Sequence, residues 1–522
     1  MPELRNAERP QRRACFLSAS SQPSQHGLPR RPNGAAMSEL HATGNLGVSS
    51  VPARALQGSL GVTSIVLMVV ATAAPLTVMV ANTPLIISMG NGIAAPFDAA
   101  IATLIMLLFT VGFVAMSKYI TNAGAFYAYI QKGLGRTFGL GSATMALTSY
   151  FLILVALEAY IGYALGDLLS SFAGVHIPWY VLSVMVIALV GFLGYRHIEL
   201  SSKFLGIALV LEIAIVLVVD LAIVMKSGLG GMDLAPFSTS AISSGSPGLG
   251  IMFAIYCFIG FEATVVFREE AKDPERTIPR ATYISVLVVG AFYVVSMWCE
   301  VVGIGLNDVL PFATDHPGDM YLVLTERFLG RAAQDLLQVL LITSLFACVL
   351  SLHNIVVRYQ YVLGGYKVLP QSLASIHPSH GSPHVSSIVQ TMSSLILLVA
   401  LIIGGLDPVT QIYAWGATAG TLGYMVILAL TCLSVILFFR RLAGPSSVWA
   451  TKLAPAGGFI GLATCLWIAL ENLPALVGGD TANVAAGVME VVVAASFFIG
   501  YAAAIYLKKT APGRFEALRA LA

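Results

Sequence analysis

The chain has 522 residues, of which 57% are apolar and 10% charged, with a mean hydropathy of +0.84 and a formal net charge of +2. A soluble globular chain carries about 25% charged residues, so an ordinary soluble domain is excluded, and nothing in the charge pattern suggests nucleic-acid binding. Runs such as 61–89, 141–166 and 204–225 carry few or no charges over twenty or more residues. About 20 such residues in a helix cross ~30 Å of hydrocarbon. The ten-residue alternating segments of a β-barrel do not occur, so the chain reads as an all-α polytopic membrane protein.

In chain order, residues 1–57 are polar and rich in Ser, Pro and Gln, with Arg5, Arg9, Arg12, Arg13, Arg30 and Arg31. They read as a disordered cytoplasmic tail or an over-extended start, with Met37 as the initiator. An organellar transit peptide is the alternative. An apolar body that carries the spans follows at 58–510. Spans are expected at 60–88, 93–117, 137–166, 178–194, 203–226, 246–270, 281–304, 331–357, 386–404, 410–439, 455–473 and 484–507. Segments 122–132 and 320–329 read as short helical lead-ins to the third and eighth spans. Residues 511–522 form a cytoplasmic C-terminal tail.

Basic residues set the topology. With both termini inside, the inner loops and C-terminal tail hold eighteen Lys and Arg, and the outer loops only Lys226, Arg327 and Arg331. An odd number of spans would scramble that bias, so twelve spans in the inner membrane are expected. Cys257, Cys299, Cys348, Cys432 and Cys465 lie in apolar runs and Cys15 in the N-terminal stretch. None has metal-ligand spacing, so they read as small core residues and no cofactor is expected. No nucleophile–base pair or phosphate-binding loop argues for an enzyme.

Two spans are predicted to be interrupted. The first contains Ala71-Thr72-Ala73-Ala74-Pro75-Leu76, and a proline inside a helix removes one hydrogen bond and clashes with the preceding turn. The sixth contains Phe258-Ile259-Gly260-Phe261-Glu262, which places a carboxylate near mid-membrane, where ionisable groups are costly and usually functional or paired. Breaks five spans apart fit a five-helix repeat in inverted orientation, whose half-helix ends bind substrate near the midplane. The repeats then cover about 58–228 and 245–440, with accessory helices at about 453–508.

Three stretches make the chain resemble the amino acid–polyamine–organocation (APC) permeases over roughly 58–510. One runs Met116-Ser117-Lys118-Tyr119 to Asn122-Ala123-Gly124-Ala125-Phe126-Tyr127-Ala128-Tyr129 and Gly133-Leu134-Gly135-Arg136. The second joins Phe258-Ile259-Gly260-Phe261-Glu262 to Glu269-Glu270-Ala271-Lys272-Asp273-Pro274 and Thr277-Ile278-Pro279-Arg280-Ala281. The third has Leu369-Pro370, His377-Pro378 and Gly381-Ser382-Pro383-His384. The resemblance implies a LeuT-like fold of two inverted five-helix repeats plus two C-terminal helices, working by alternating access. It also implies a substrate site of Ala73, Ala74, Pro75, Leu76, Thr77, Tyr256, Ile259, Gly260, Phe261 and Glu262. One departure stands out. Most members carry a Gly-x-Gly-like first break, whereas Ala73-Ala74-Pro75 here lacks one N–H donor for a substrate carboxylate.

The intramembrane acids carry separate expectations. Glu212 falls where some proton-coupled members place a lysine against the first break. A carboxyl group held away from water can exchange a proton near neutral pH, so Glu212 is either the coupling residue or a structural acid bonded to Ser or Thr. Glu262 either meets a substrate ammonium or clamps the broken helix. Glu158 either selects a cationic group in the pathway or bonds a neighbouring helix. Trp415 and Ser344, with Cys348 and Ser351, stand on helices expected to wall the site. The charges of 268–280 read as an inner salt-bridge gate. The function expected is proton-coupled transport of an amino acid or related amine across the bilayer. A sodium-coupled or exchange carrier, or a non-transporting sensor on the same fold, is the alternative.

Overall fold

The computed structural model describes residues 60–120, 126–196, 202–266, 271–442, 447–478 and 482–518. The expected tail at 1–57 and the gate residues Arg268, Glu269 and Glu270 lie outside them. We label the main helices α1 (Val62–Ala73), α2 (Ala95–Ser117), α3 (Arg136–Ala173), α4 (Trp179–Arg196), α5 (Ser202–Ser227) and α6 (Pro247–Tyr256). They continue with α7 (Pro274–Ile304), α8 (Arg331–Gly365), α9 (His384–Ile403), α10 (Ala414–Arg441), α11 (Ala454–Val477) and α12 (Ala482–Thr510). The two expected lead-ins are helices Phe126–Leu134 and Met320–Leu329. Among the described residues, ten helical runs are long and apolar enough to cross a membrane, the first being Val62–Ser117, and α6 is a shorter apolar helix. Within that first run the helical path breaks at Gly90 and again at Gly92, whose φ is +56°. The chain is a multi-pass, all-helical membrane protein.

The helices sort into two groups. In one, α2 lies against α6 and α7, and α1 against α7. In the other, α3 packs on α4 and α8, and α9 on α4 and α8. Helix α5 touches both α7 and α8, and α10 touches both α2 and α3, so these two bridge the groups. Helices α11 and α12 lie outside, on α2 and α3 respectively.

Lipid is as apolar as leucine, so burial alone does not drive helices together in a membrane, and small residues that admit close contact do. Gly416, Gly420 and Gly423 follow one face of α10 against α3. A Cβ on Gly420 would sit 2.8 Å from the Ser149 carbonyl oxygen. Large apolar side chains turn outward instead, among them Ile396 and Ile403 of α9 and Val484 and Phe498 of α12. That surface suits hydrocarbon.

The structure refines the C-terminal tail. Residues Pro512–Ala517 form a short helix after α12. The Arg136 guanidinium lies 5.3 Å from the centre of the Phe515 ring, and Gln131 donates to the Leu518 carbonyl at 2.5 Å. Leu518 is buried beside Leu140, Leu363 and Leu507.

Candidate functional site

Helix α1 ends where the sequence places small residues before a proline. Ala74 adopts a left-handed conformation, φ +46° and ψ +63°, and the helix resumes at Pro75. Proline is suited to that first position, since its fixed φ is helical and its missing N–H would be unpaired there anyway. An L-residue other than glycine pays about 1–2 kcal/mol in this region. We expect Ala74→Gly to leave stability within about 1 kcal/mol of wild type, the relief being offset by glycine's extra unfolded-state entropy. Ala74→Val should lose about 2 kcal/mol or more, because a β-branched side chain fits this region worst. Thermal unfolding of both variants in detergent is the measurement.

Helix α6 ends at Tyr256, and the chain continues to Glu262 in tight turns. Ile259 N donates to the Tyr256 carbonyl at 3.0 Å and Phe261 N to the Phe258 carbonyl at 3.2 Å. Gly260 has φ +103°. A Cβ there would lie 2.7 Å from Thr72 Cγ2 and 3.2 Å from the Thr72 carbonyl oxygen. The two breaks therefore touch, with Gly260 seated on the last turn of α1.

Glu262 pins this junction to its surroundings. Its carboxylate accepts from the Gly260 N–H at 3.0 Å, from the Tyr150 hydroxyl of α3, and from the Tyr424 hydroxyl of α10 at 3.3 Å. Three donors already hold its oxygens.

Between the breaks lies a small cavity. Thr72, Ala73, Ala74, Thr77 and Val78 line it from the first break, and Tyr256, Ile259, Gly260 and Glu262 from the second. Ile153 and Leu157 of α3, and Cys348, Ser351, Leu352 and Ile355 of α8, complete the wall. Tyr256 adjoins Tyr413, whose ring centre is 5.0 Å from that of Tyr160. Tyr160 donates to the Gly318 carbonyl at 2.9 Å. Tyr256 is on the cavity wall with Tyr413 and Tyr160 beyond it, and Tyr150, Tyr359 and Tyr424 gather around Glu262.

Glu212 sits just behind the cavity wall. The Thr77 hydroxyl donates to Ser344 Oγ at 3.1 Å, and Ser344 donates to Glu212 Oε2 at 2.8 Å. Thr77 lines the cavity and Glu212 is buried. Two hydroxyls from α8 and the first break therefore connect the cavity to a carboxylate on α5.

The remaining expected site residues lie elsewhere. Pro75 and Leu76 are buried behind the break, and neither lines the cavity. Phe261 turns into an aromatic cluster, its ring centre 5.7 Å from Phe109, 5.9 Å from Phe113 and 6.1 Å from Phe126. Glu158 is buried and adjoins Ser394 of α9, while its neighbour Leu157 lines the cavity. Trp415 is half-buried and off the wall. Of the expected gate, Asp273 and Arg276 form a local pair at 3.8 Å with both side chains exposed.

A family model for amino acid permeases matches residues 64–508. The branched-chain amino acid permease of Bacillus subtilis is 27% identical over 210 residues, 39% of this chain and 38% of that protein. The serine/threonine exchanger of the same organism is 20% identical over 283 residues, 54% of this chain and 62% of that one. The low-affinity putrescine importer of Escherichia coli is 23% identical over 295 residues, 55% and 63% respectively. The chain thus spans less than two thirds of each of these relatives. Among solved structures, a mutant manganese transporter of Eremococcus coleocola aligns with a TM-score of 0.52 at 13% identity. That alignment covers 88% of this chain and 96% of the transporter, and shows a shared fold.

Proposed function

We propose, on the premise that this chain belongs to the amino acid permease family, that it carries an amino acid or related amine together with a proton, by alternating access. The carrier crosses the inner membrane twelve times, with both termini in the cytoplasm. The substrate lies between the breaks at Ala74 and Gly260. Glu212 takes up and releases the coupled proton. One observation supports the coupling above all: the hydroxyl chain from Thr77 on the cavity wall through Ser344 to Glu212. A charge change at Glu212 is felt at the substrate through two hydrogen bonds.

The wall also bears on the substrate. Ile153, Leu157, Leu352 and Ile355 offer an apolar side chain a dry surface, worth about 25 cal/mol per Å² covered. A diamine would bring a second ammonium to a cavity whose one lining carboxylate among the described residues, Glu262, already holds three donors. An amino acid with an apolar side chain fits better.

Reconstitution into liposomes tests both statements. With a pH gradient imposed and no sodium present, labelled leucine or valine should accumulate, and unlabelled putrescine should compete poorly. Accumulation driven by a sodium gradient alone, with the pH gradient collapsed, would replace the proton by sodium in this mechanism.

A further inference from the structure

A second set of buried polar side chains lies away from the cavity. Asp220 of α5, Ser296 and Glu300 of α7, and Tyr321 of the helix Met320–Leu329 are all at most 5% exposed. Ser296 donates to Asp220 Oδ2 at 2.6 Å. Asp220 Oδ1, both oxygens of Glu300 and the Tyr321 hydroxyl have no hydrogen-bond partner. Asp220 and Glu300 lie within electrostatic reach of each other, and both reach Tyr321. The other titratable group facing Asp220 is the Cys299 thiol of α7.

No described basic group faces the acids. Lys226, farther along α5, is exposed and lies over the Phe328 ring at 4.9 Å. Two unscreened carboxylates at low dielectric repel strongly, and such pairs retain a proton.

We propose that Asp220 and Glu300 form a second protonatable site, which loads protons from the outer face and passes them to Glu212. This rests on the reading of Glu212 as the coupling residue. Asp220 stands eight residues beyond Glu212 on the same helix, about 12 Å toward the outer end. On α7, Tyr293, Ser296 and Glu300 share one face by their i, i+3, i+7 spacing. The Tyr293 hydroxyl is also buried without a partner. Tyr293 is in electrostatic reach of Cys348, which neighbours Glu212. Val216 and Val219 fill α5 between the two acids, so the polar route follows α7.

The test uses the full chain, with Glu300→Gln and Asp220→Asn beside wild type. Infrared spectra of the purified protein should show a protonated-carboxyl carbonyl band that each variant loses in part. In liposomes with a gradient of one pH unit, the initial rate of uptake by Glu300→Gln should fall by at least about tenfold, as for the loss of a proton-transfer group. Exchange of labelled for unlabelled substrate, which needs no net proton movement, should continue in that variant and shows that it is folded. An unchanged carbonyl band, or an unchanged dependence of uptake on external pH, overturns the proposal. A wild-type protein that accumulates nothing under a pH gradient overturns the coupling by Glu212 and the loading role with it. The infrared band then still reports whether the acid pair holds a proton.

Discussion

Gly260→Ala is expected to reduce uptake to background while the protein still reaches the membrane. The added Cβ meets two costs. A φ of +103° is a region in which L side chains are strained by about 1–3 kcal/mol. The Cβ also meets Thr72 Cγ2 at 2.7 Å and the Thr72 carbonyl oxygen at 3.2 Å, so the two breaks must move apart. Moving them dislodges the Gly260 N–H from Glu262 and opens the wall between Thr72 and Gly260. Each 1.4 kcal/mol costs tenfold in affinity, so the loss appears first in substrate-induced thermal shift and then in uptake. Thr72→Ser removes the clashing methyl and should recover part of the loss in the double variant. Wild-type uptake by Gly260→Ala would separate the break from the transport path.

Glu212→Gln should leave substrate binding intact and abolish proton-driven accumulation. The glutamine amide can turn its N–H toward Ser344, as a protonated Glu212 would donate, so the hydroxyl chain survives with a Thr77 hydrogen left for the substrate. It cannot gain or lose a proton. A gradient of one pH unit supplies about 1.4 kcal/mol, enough for tenfold accumulation with one proton. The variant should stop at equal concentrations inside and out, yet exchange labelled for unlabelled substrate at the wild-type rate. Accumulation unchanged from wild type would remove Glu212 from the mechanism.

The fold was legible because hydrocarbon imposes a simple rule on sequence. Long uncharged runs mark crossings. The break in the first span was legible because proline announces it, and the break in the sixth because glycine meets a buried acid. The left-handed turn at Ala74 was not, since alanine gives no sign of that conformation. Thr77, Ser344 and Glu212 were each singled out, but their hydrogen bonds join residues 267 and 132 positions apart, which no local pattern encodes. The apolar wall of Ile153, Leu157, Leu352 and Ile355 was missed for a related reason. In a chain this apolar, a residue facing a substrate and one facing lipid look alike. The direction of Phe261 was hidden too, because its partners Phe109, Phe113 and Phe126 come from distant segments.

The hydroxyls between Glu212 and the cavity have a direction as well as a length. With Glu212 charged, Thr77 spends its hydrogen on Ser344 and presents only lone pairs to a ligand. Once Glu212 holds a proton, its O–H can donate to Ser344, whose own hydrogen then turns toward Thr77. Thr77 is left with a hydrogen to offer. Under the proposed coupling, a carboxylate arriving at the first break would find a donor where Pro75 supplies none, and only after the proton has bound. Reversing the sense of two hydrogen bonds is enough to make the order of binding matter, without moving a helix.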